Sequence, residues 1–206
     1  MKSILCFGDS NTYGYIAGGL GRYGFDVRWP GRLERLLGPG WRVVEEGLCG
    51  RTTVFREPAR PGGAGIDYIS PCVATHRPLD FVVLMLGTND CKAEFHASAK
   101  EITAGLRGIV DVVKAETSGA AKILIISPAS LGESVCGGSD FGFDARSYHV
   151  SLELADRFAE LAGERACLFL DAARIVTASG VDFVHLDERA HDLLARAVAG
   201  IILREC

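Results

Sequence analysis

Three residues of this chain have the types and setting for acyl transfer. Ser10 stands in Gly8-Asp9-Ser10-Asn11-Thr12, and Asp182 and His185 share the stretch Asp182-Phe183-Val184-His185. A serine hydroxyl is a weak nucleophile until a base takes its proton, and a histidine titrating near neutrality is the usual base. The imidazole needs an acceptor on its other nitrogen to fix tautomer and orientation. Asp182, three residues earlier, can provide it, with Asp171 and Asp187 as lesser candidates. Charge developing on a substrate oxygen needs donors already in place. The backbone N–H groups of Ser10 and Gly50 and the side-chain amide of Asn89 can form that oxyanion hole, and glycine at 50 lets backbone approach the substrate closely.

Each of these residues also has a plainer reading. Gly8-Asp9-Ser10 alone suits a turn that caps a helix, Gly50 a turn glycine, and Asn89 a loop or cap residue. Asp9 and Asp90 read as structural carboxylates bonding nearby backbone. Of the histidines His76, His96, His149, His185 and His191, His185 has the acid at the right offset and the right place in the chain. His149 and His191 fall within helical segments and read as surface or packing residues. Gly19-Leu20-Gly21-Arg22-Tyr23-Gly24 matches G-x-G-x-x-G, and Glu45 and Glu46 follow as in a dinucleotide fingerprint. The true fingerprint starts directly at a strand's end, whereas about ten residues intervene here, so a flexible loop beside the site is the better reading. Neither a P-loop nor an H-E-x-x-H motif occurs. No cofactor and no metal are expected.

The elements that must position these groups alternate regularly. Almost wholly apolar runs at Ser3 to Phe7, Arg42 to Val44, Phe81 to Leu86, Lys122 to Ile126 and Cys167 to Leu170 suit parallel strands covered on both faces. Trp29, Leu33, Leu36 and Leu37 form a helical stripe opened by Pro30 and closed by Gly38. Ser98 and Glu101 form a capping-box pattern ahead of Ile102, Leu106, Ile109, Val110 and Val113, with Gly119 as a stop. Asp187 suits the cap of a last helix bearing Leu194, Ala197, Val198, Ile201 and Ile202. The stretches 57–65 and 131–142 read as surface loops. The alternation predicts a three-layer α/β/α domain with an open, mainly five-stranded parallel sheet. Ligands of such sheets bind beyond the carboxyl ends of the strands, which is where Ser10, Gly50 and Asn89 fall.

At 206 residues, 48% hydrophobic and 23% charged, the chain suits one globular domain, residues 1–206. A net charge of -4 with scattered basic residues gives no reason to expect a nucleic-acid partner. The seven cysteines (Cys6, Cys49, Cys72, Cys91, Cys136, Cys167 and Cys206) are odd in number and form no C-x-x-C pair. This argues against a disulfide framework or a Cys-rich zinc site and for a reducing compartment. The apolar stretch after Lys2 is too short for a signal-peptide core, and nothing is long enough to cross a bilayer, so a cytoplasmic location without membrane attachment is expected. Cys6 reads as a buried strand residue and Cys49 as a thiol near the site. Phe141 and Phe143 are apolar loop residues on which an interface between copies of the chain would draw.

The segments GDSNT (Gly8 to Thr12), GLCGRTT (Gly47 to Thr53), GTND (Gly87 to Asp90) and DFVH (Asp182 to His185) resemble, in order, the four sequence blocks of the SGNH/GDSL hydrolase superfamily. By that resemblance Ser10, Gly50, Asn89 and His185 are the four name-giving residues and Asp182 is the triad acid. The resemblance also implies a flavodoxin-like sheet. ILCFGDSNTYGY, VRWPGRL, VVEEGLCGRTT and VVLMLGTNDCKAEF are similar to the bacterial arylesterase/acyltransferase branch, which implies a serine esterase acting on small esters, with transfer to acceptors other than water within its range. Asn11 replaces the leucine of the GDSL name, a position at which many members vary. Carbohydrate O-acetylesterase, lysophospholipase and thioesterase activities belong to the same superfamily. A non-catalytic ligand-binding domain of this fold is the distant alternative.

Overall fold

The computed structural model describes residues 1–19, 21–57 and 62–206. Five strands, β1 (Lys2–Gly8), β2 (Trp41–Gly47), β3 (Phe81–Met85), β4 (Lys122–Ser127) and β5 (Leu168–Asp171), pair in the order β2-β1-β3-β4-β5. Every pairing is parallel, for instance Cys6 opposite Val83 and Leu84 opposite Ile125. The expected three-layer α/β/α class is the one observed.

Side chains alternate along a strand, so a continuous apolar run must serve two cores. Leu5, Phe7, Val82, Leu84 and Ile125 pack on one face against Ile69, Ile102, Leu106, Leu154 and Phe158. Those residues belong to α3 (Gly65–His76), α4 (Ala99–Glu116) and α5 (Ala145–Glu164). On the other face Ile4, Cys6, Val83, Met85 and Ile126 meet Trp29 and Leu33 of α2 (Trp29–Leu37) and Leu194, Val198 and Ile202 of α6 (Glu188–Arg204). α1 (Ser10–Tyr13) is a single turn after β1.

The expected punctuation is present. Pro30 lies in the first turn of α2, and Gly38, at φ +83°, closes it. Ser98 and Glu101 form a reciprocal capping box on α4, and Asp187 accepts from Ala190 N at the start of α6. Asp144 and Ser147 add a second capping box on α5.

Several expectations need correction. β2 runs from Trp41 to Gly47 rather than from Arg42 to Val44, because an edge strand places Glu45 and Glu46 where charged partners reach them and so breaks the apolar run. α3 is absent from the sequence reading: it buries only Gly65, Ile69, Cys72 and Val73 and carries Pro71 inside it, so its apolar stripe is short and interrupted. Of the stretch 57–65, residues 58–61 lie outside the described residues, while Ala64 is buried and Gly65 opens α3. The stretch 131–142 holds a 3₁₀ turn, Glu133–Gly137, and buries Leu131 and Val135 in the core. Near the glycine-rich segment Arg22 pairs with Tyr15 in a bridge, donates to Tyr13 O, and with Arg28 engages Glu45. Leu20 of this segment lies outside the described residues, and the Glu45 carboxylate is already bound by two arginines. Among the described residues no helix is long and apolar enough to cross a membrane.

Candidate active site

β1 delivers Ser10 to the carboxyl edge of the sheet. The turn after it is tight: a Cβ on Gly8 would lie 2.0 Å from Thr12 Oγ1 and 2.7 Å from the Met85 carbonyl. Asp9 caps α1, its Oδ1 accepting from Asn11 N at 2.9 Å. Ser10 is buried, with its Oγ 3.0 Å from His185 Nε2 across 175 positions of sequence.

The segment before α6 folds back on itself. Phe183 takes a left-handed φ of +62°, unusual for a bulky residue, and its carbonyl accepts from Gly132 N at 2.8 Å. That turn brings Asp182 under His185. Oδ2 lies 2.7 Å from His185 Nδ1, while Oδ1 accepts from the backbone N–H of His185 at 2.9 Å and of Val184 at 3.1 Å. Burial raises the Asp182 pKa, but the bonds from the His185 ring and backbone outweigh it and bring it down to about 2. Asp182 is therefore an anion at neutral pH, facing an imidazole whose Nε2 is aimed at Ser10.

The lesser candidates for the acid lie elsewhere. Asp171 accepts from Ala173 N and Ser127 Oγ, and Asp187 is committed to the α6 cap. His191 is wholly buried, its Nδ1 accepting from Trp29 N, and burial lowers its pKa to about 4, which keeps it neutral and structural. His149 is exposed on α5.

Two loops complete the wall. Gly50 has φ +78°, a conformation glycine adopts freely. The following residues are tied to the segment after β3: Asn89 Nδ2 donates to Arg51 O at 3.1 Å, and Asp90 Oδ1 accepts from Thr53 N at 2.8 Å and from Thr53 Oγ1. The Arg51 guanidinium donates to the carbonyls of Gly8 (2.9 Å) and Glu46 and lies over the rings of Phe7 and Tyr68. Burial raises the pKa of Asp9 to about 6 and of Asp90 to about 7. Asp9 bonds backbone two residues on, as the sequence suggested, whereas Asp90 reaches Thr53 across 37 positions.

Ser10, Gly50, Asn89 and His185 line one cavity of ≈ 330 Å³, together with Tyr15, Cys49, Lys92, Asp140, Phe141, Phe143 and Val184. Tyr15 sits 4.4 Å from the His185 ring and Phe141 meets it edge-on at 5.2 Å, so the imidazole is shielded by aromatics. Phe143 is buried in the chain's own core, and Phe141 is half-buried over His185. A groove of ≈ 560 Å³ beside β5 and α6 holds Arg196, Arg204 and Glu205 but no nucleophile with a base.

The model of the GDSL-like Lipase/Acylhydrolase family matches residues 6–193. The chain belongs to that family. The native M. smegmatis aryl esterase is 35% identical, with a TM-score of 0.91 and 99% of each chain covered. A carbohydrate acetylesterase from Sinorhizobium meliloti is 32% identical, with a TM-score of 0.90 and all of both chains covered. No curated protein matches significantly. The resemblance read from GDSNT, GLCGRTT, GTND and DFVH thus leads to the right family.

Within this GDSL-like chain, the departure at Asn11 is not idle. The Asn11 side chain donates to Val184 O at 3.4 Å and accepts from Leu186 N at 2.9 Å, gripping the backbone on either side of His185. Sequence reasoning also passed over Arg51 and Tyr15. The departure from the GDSL motif directly after the serine was the available signal for Asn11. For Arg51 and Tyr15, whose roles depend on carbonyls and a ring from distant segments, no local signal exists.

Proposed function

We propose that this chain hydrolyses small carboxylic esters through an acyl-enzyme. Ser10 Oγ attacks the ester carbonyl as His185 Nε2 takes its proton. Asp182 holds Nδ1–H and stabilises the imidazolium that forms. The N–H groups of Ser10 and Gly50 and the Asn89 amide bind the oxyanion. His185 returns the proton to the leaving alkoxide, and water activated by the same histidine then releases the acid. An alcohol or a peroxide in place of that water gives acyl transfer.

The single observation that carries this reading is the continuous relay from Asp182 Oδ2 to His185 Nδ1 (2.7 Å) and from His185 Nε2 to Ser10 Oγ (3.0 Å), opening on a cavity that Gly50 and Asn89 also line. The 32% identity to a carbohydrate acetylesterase makes sugar O-acetyl esters the second substrate class to test. The experiment is fluorophosphonate labelling followed by a panel of short-chain aryl esters and acetylated sugars. Wild type is labelled at Ser10, and Ser10→Ala loses both the label and several orders of magnitude in turnover while keeping its fold. A variant with near-full activity refutes the mechanism, and a wild-type serine inert to the phosphonate favours a non-catalytic ligand-binding domain.

A further inference from the structure

On the α3 side of β2, Glu46, Cys72 and His76 bring a carboxylate oxygen, a sulfur and an imidazole nitrogen to within 4.8 Å of one another. None of the three lines the cavity at Ser10. We propose that they form a second site, one that binds a divalent transition-metal ion of the zinc class.

The placement follows from two rigid elements. Cys72 and His76 are four residues apart on α3 and so point from the same helix face, while Glu46 extends toward them from β2. His76 Nε2 and Glu46 Oε1 are already 3.2 Å apart. Tetrahedral zinc with bonds of about 2.0–2.3 Å sets its ligand atoms about 3.4–3.6 Å from one another, so the His76–Glu46 pair is already near that spacing and the set contracts from within 4.8 Å around the ion. The mixture of sulfur, nitrogen and oxygen selects zinc, cobalt or nickel over calcium or magnesium, which take oxygen alone. Cys72 is sealed from solvent, whereas His76 and Glu46 are each 22% exposed, leaving the fourth coordination position open to water. Binding breaks the Cys72 S–H bond, forms a sulfur–metal bond and passes the proton to buffer; no electron moves.

The other charged and titratable groups felt at this cluster are Arg51 and Tyr68. Arg51 opposes a cation, but its guanidinium is committed to the Gly8 and Glu46 carbonyls and to two aromatic faces, and a thiolate with a carboxylate supplies two negative charges against it. The sequence reading expected no metal because neither a C-x-x-C pair nor an H-E-x-x-H motif occurs, and Glu46 stands 26 positions before Cys72, so no local pattern joins the three residues.

The test is titration of the whole chain with Co²⁺ under reducing conditions, read by absorption. One ion per chain is expected, with a thiolate-to-cobalt charge-transfer band and the visible bands of tetrahedral cobalt. Cys72→Ser abolishes the charge-transfer band and Cys49→Ser keeps it. His76→Gln, at the half-exposed end of α3 and safe for folding, weakens binding at least about tenfold, since even the outer partners of metal ligands are worth that much. Absence of the charge-transfer band in wild type, a band that survives in Cys72→Ser, or unchanged affinity in His76→Gln overturns the proposal whatever the esterase assays return.

Discussion

Asp182→Asn changes almost no volume yet reverses one hydrogen bond. In the native site Asp182 Oδ1 serves two backbone N–H groups and Oδ2 serves the His185 ring. An asparagine has one acceptor oxygen. Left with the backbone pair, it turns an NH₂ toward His185 Nδ1, which must then give up its proton to accept. The proton moves to Nε2, and Nε2–H points at Ser10 Oγ instead of receiving from it. The fold keeps its two backbone bonds, so the unfolding free energy drops only by what one charge-assisted bond contributes, about 1.5–3 kcal/mol. Turnover pays for the wrong tautomer and for an imidazolium without its anion. The same substitution in a serine protease triad lowers kcat about 10⁴-fold, so a loss of about 10³–10⁴ is expected here, equivalent to roughly 4–5.5 kcal/mol of barrier. The assay is steady-state hydrolysis of a chromogenic short-chain ester, with circular dichroism on the same sample. A folded Asp182→Asn enzyme within tenfold of wild-type kcat refutes the reasoning.

Asn89→Ala should lower kcat about 10²–10³-fold with little change in KM if its amide binds the oxyanion as proposed; an effect confined to KM contradicts that role. Asp187→Ala removes the α6 cap without touching His185, costing about 1 kcal/mol in denaturant unfolding while leaving kcat alone. Stability should also depend on pH in a specific direction. Asp9 and Asp90 have folded pKa values of about 6 and about 7, above the 3.8 of an unperturbed aspartate, so the native chain holds protons the unfolded chain has released. Their contribution to stability is fully present below about pH 4 and falls as pH rises through about 7. Asp182, held down at about 2, acts in the opposite sense and loses its contribution only as pH drops from about 4 toward 2. Asp90→Asn keeps an acceptor for Thr53 and should flatten the decline between pH 5 and 7; an unchanged slope in chemical denaturation assigns it elsewhere.

The legibility of this chain followed burial. Strands β1, β3 and β4, covered on both faces, announce themselves as unbroken apolar runs, and their ends fix where Ser10 and Asn89 must lie. β2 was found too short because its outer residues answer to Arg22, Arg28 and His76 rather than to a core. α3 escaped because Pro71 and a short buried stripe leave no helical period to detect. In the candidate site, Ser10, Asp182 and His185 were readable as chemistry, since an acid three residues before an imidazole is a local pattern. Asn11 was readable only as a departure from a motif. That it grips Val184 and Leu186 is a fact of tertiary structure, and no spacing in the sequence encodes a bond across more than 170 positions.

The Asn11 grip has a consequence for protein engineering. It fastens the backbone beside Ser10 to the backbone on both sides of His185, so the geometry of proton exchange is set by strand ends and main chain. Lys92 and Asp140 contribute to the cavity from other segments and take no part in that fastening, whereas Phe141 packs on the His185 ring. Random libraries confined to those two wall positions can therefore reshape the cavity while the Ser10–His185 spacing is kept, whereas diversity at residue 11 loosens that spacing for every substrate alike.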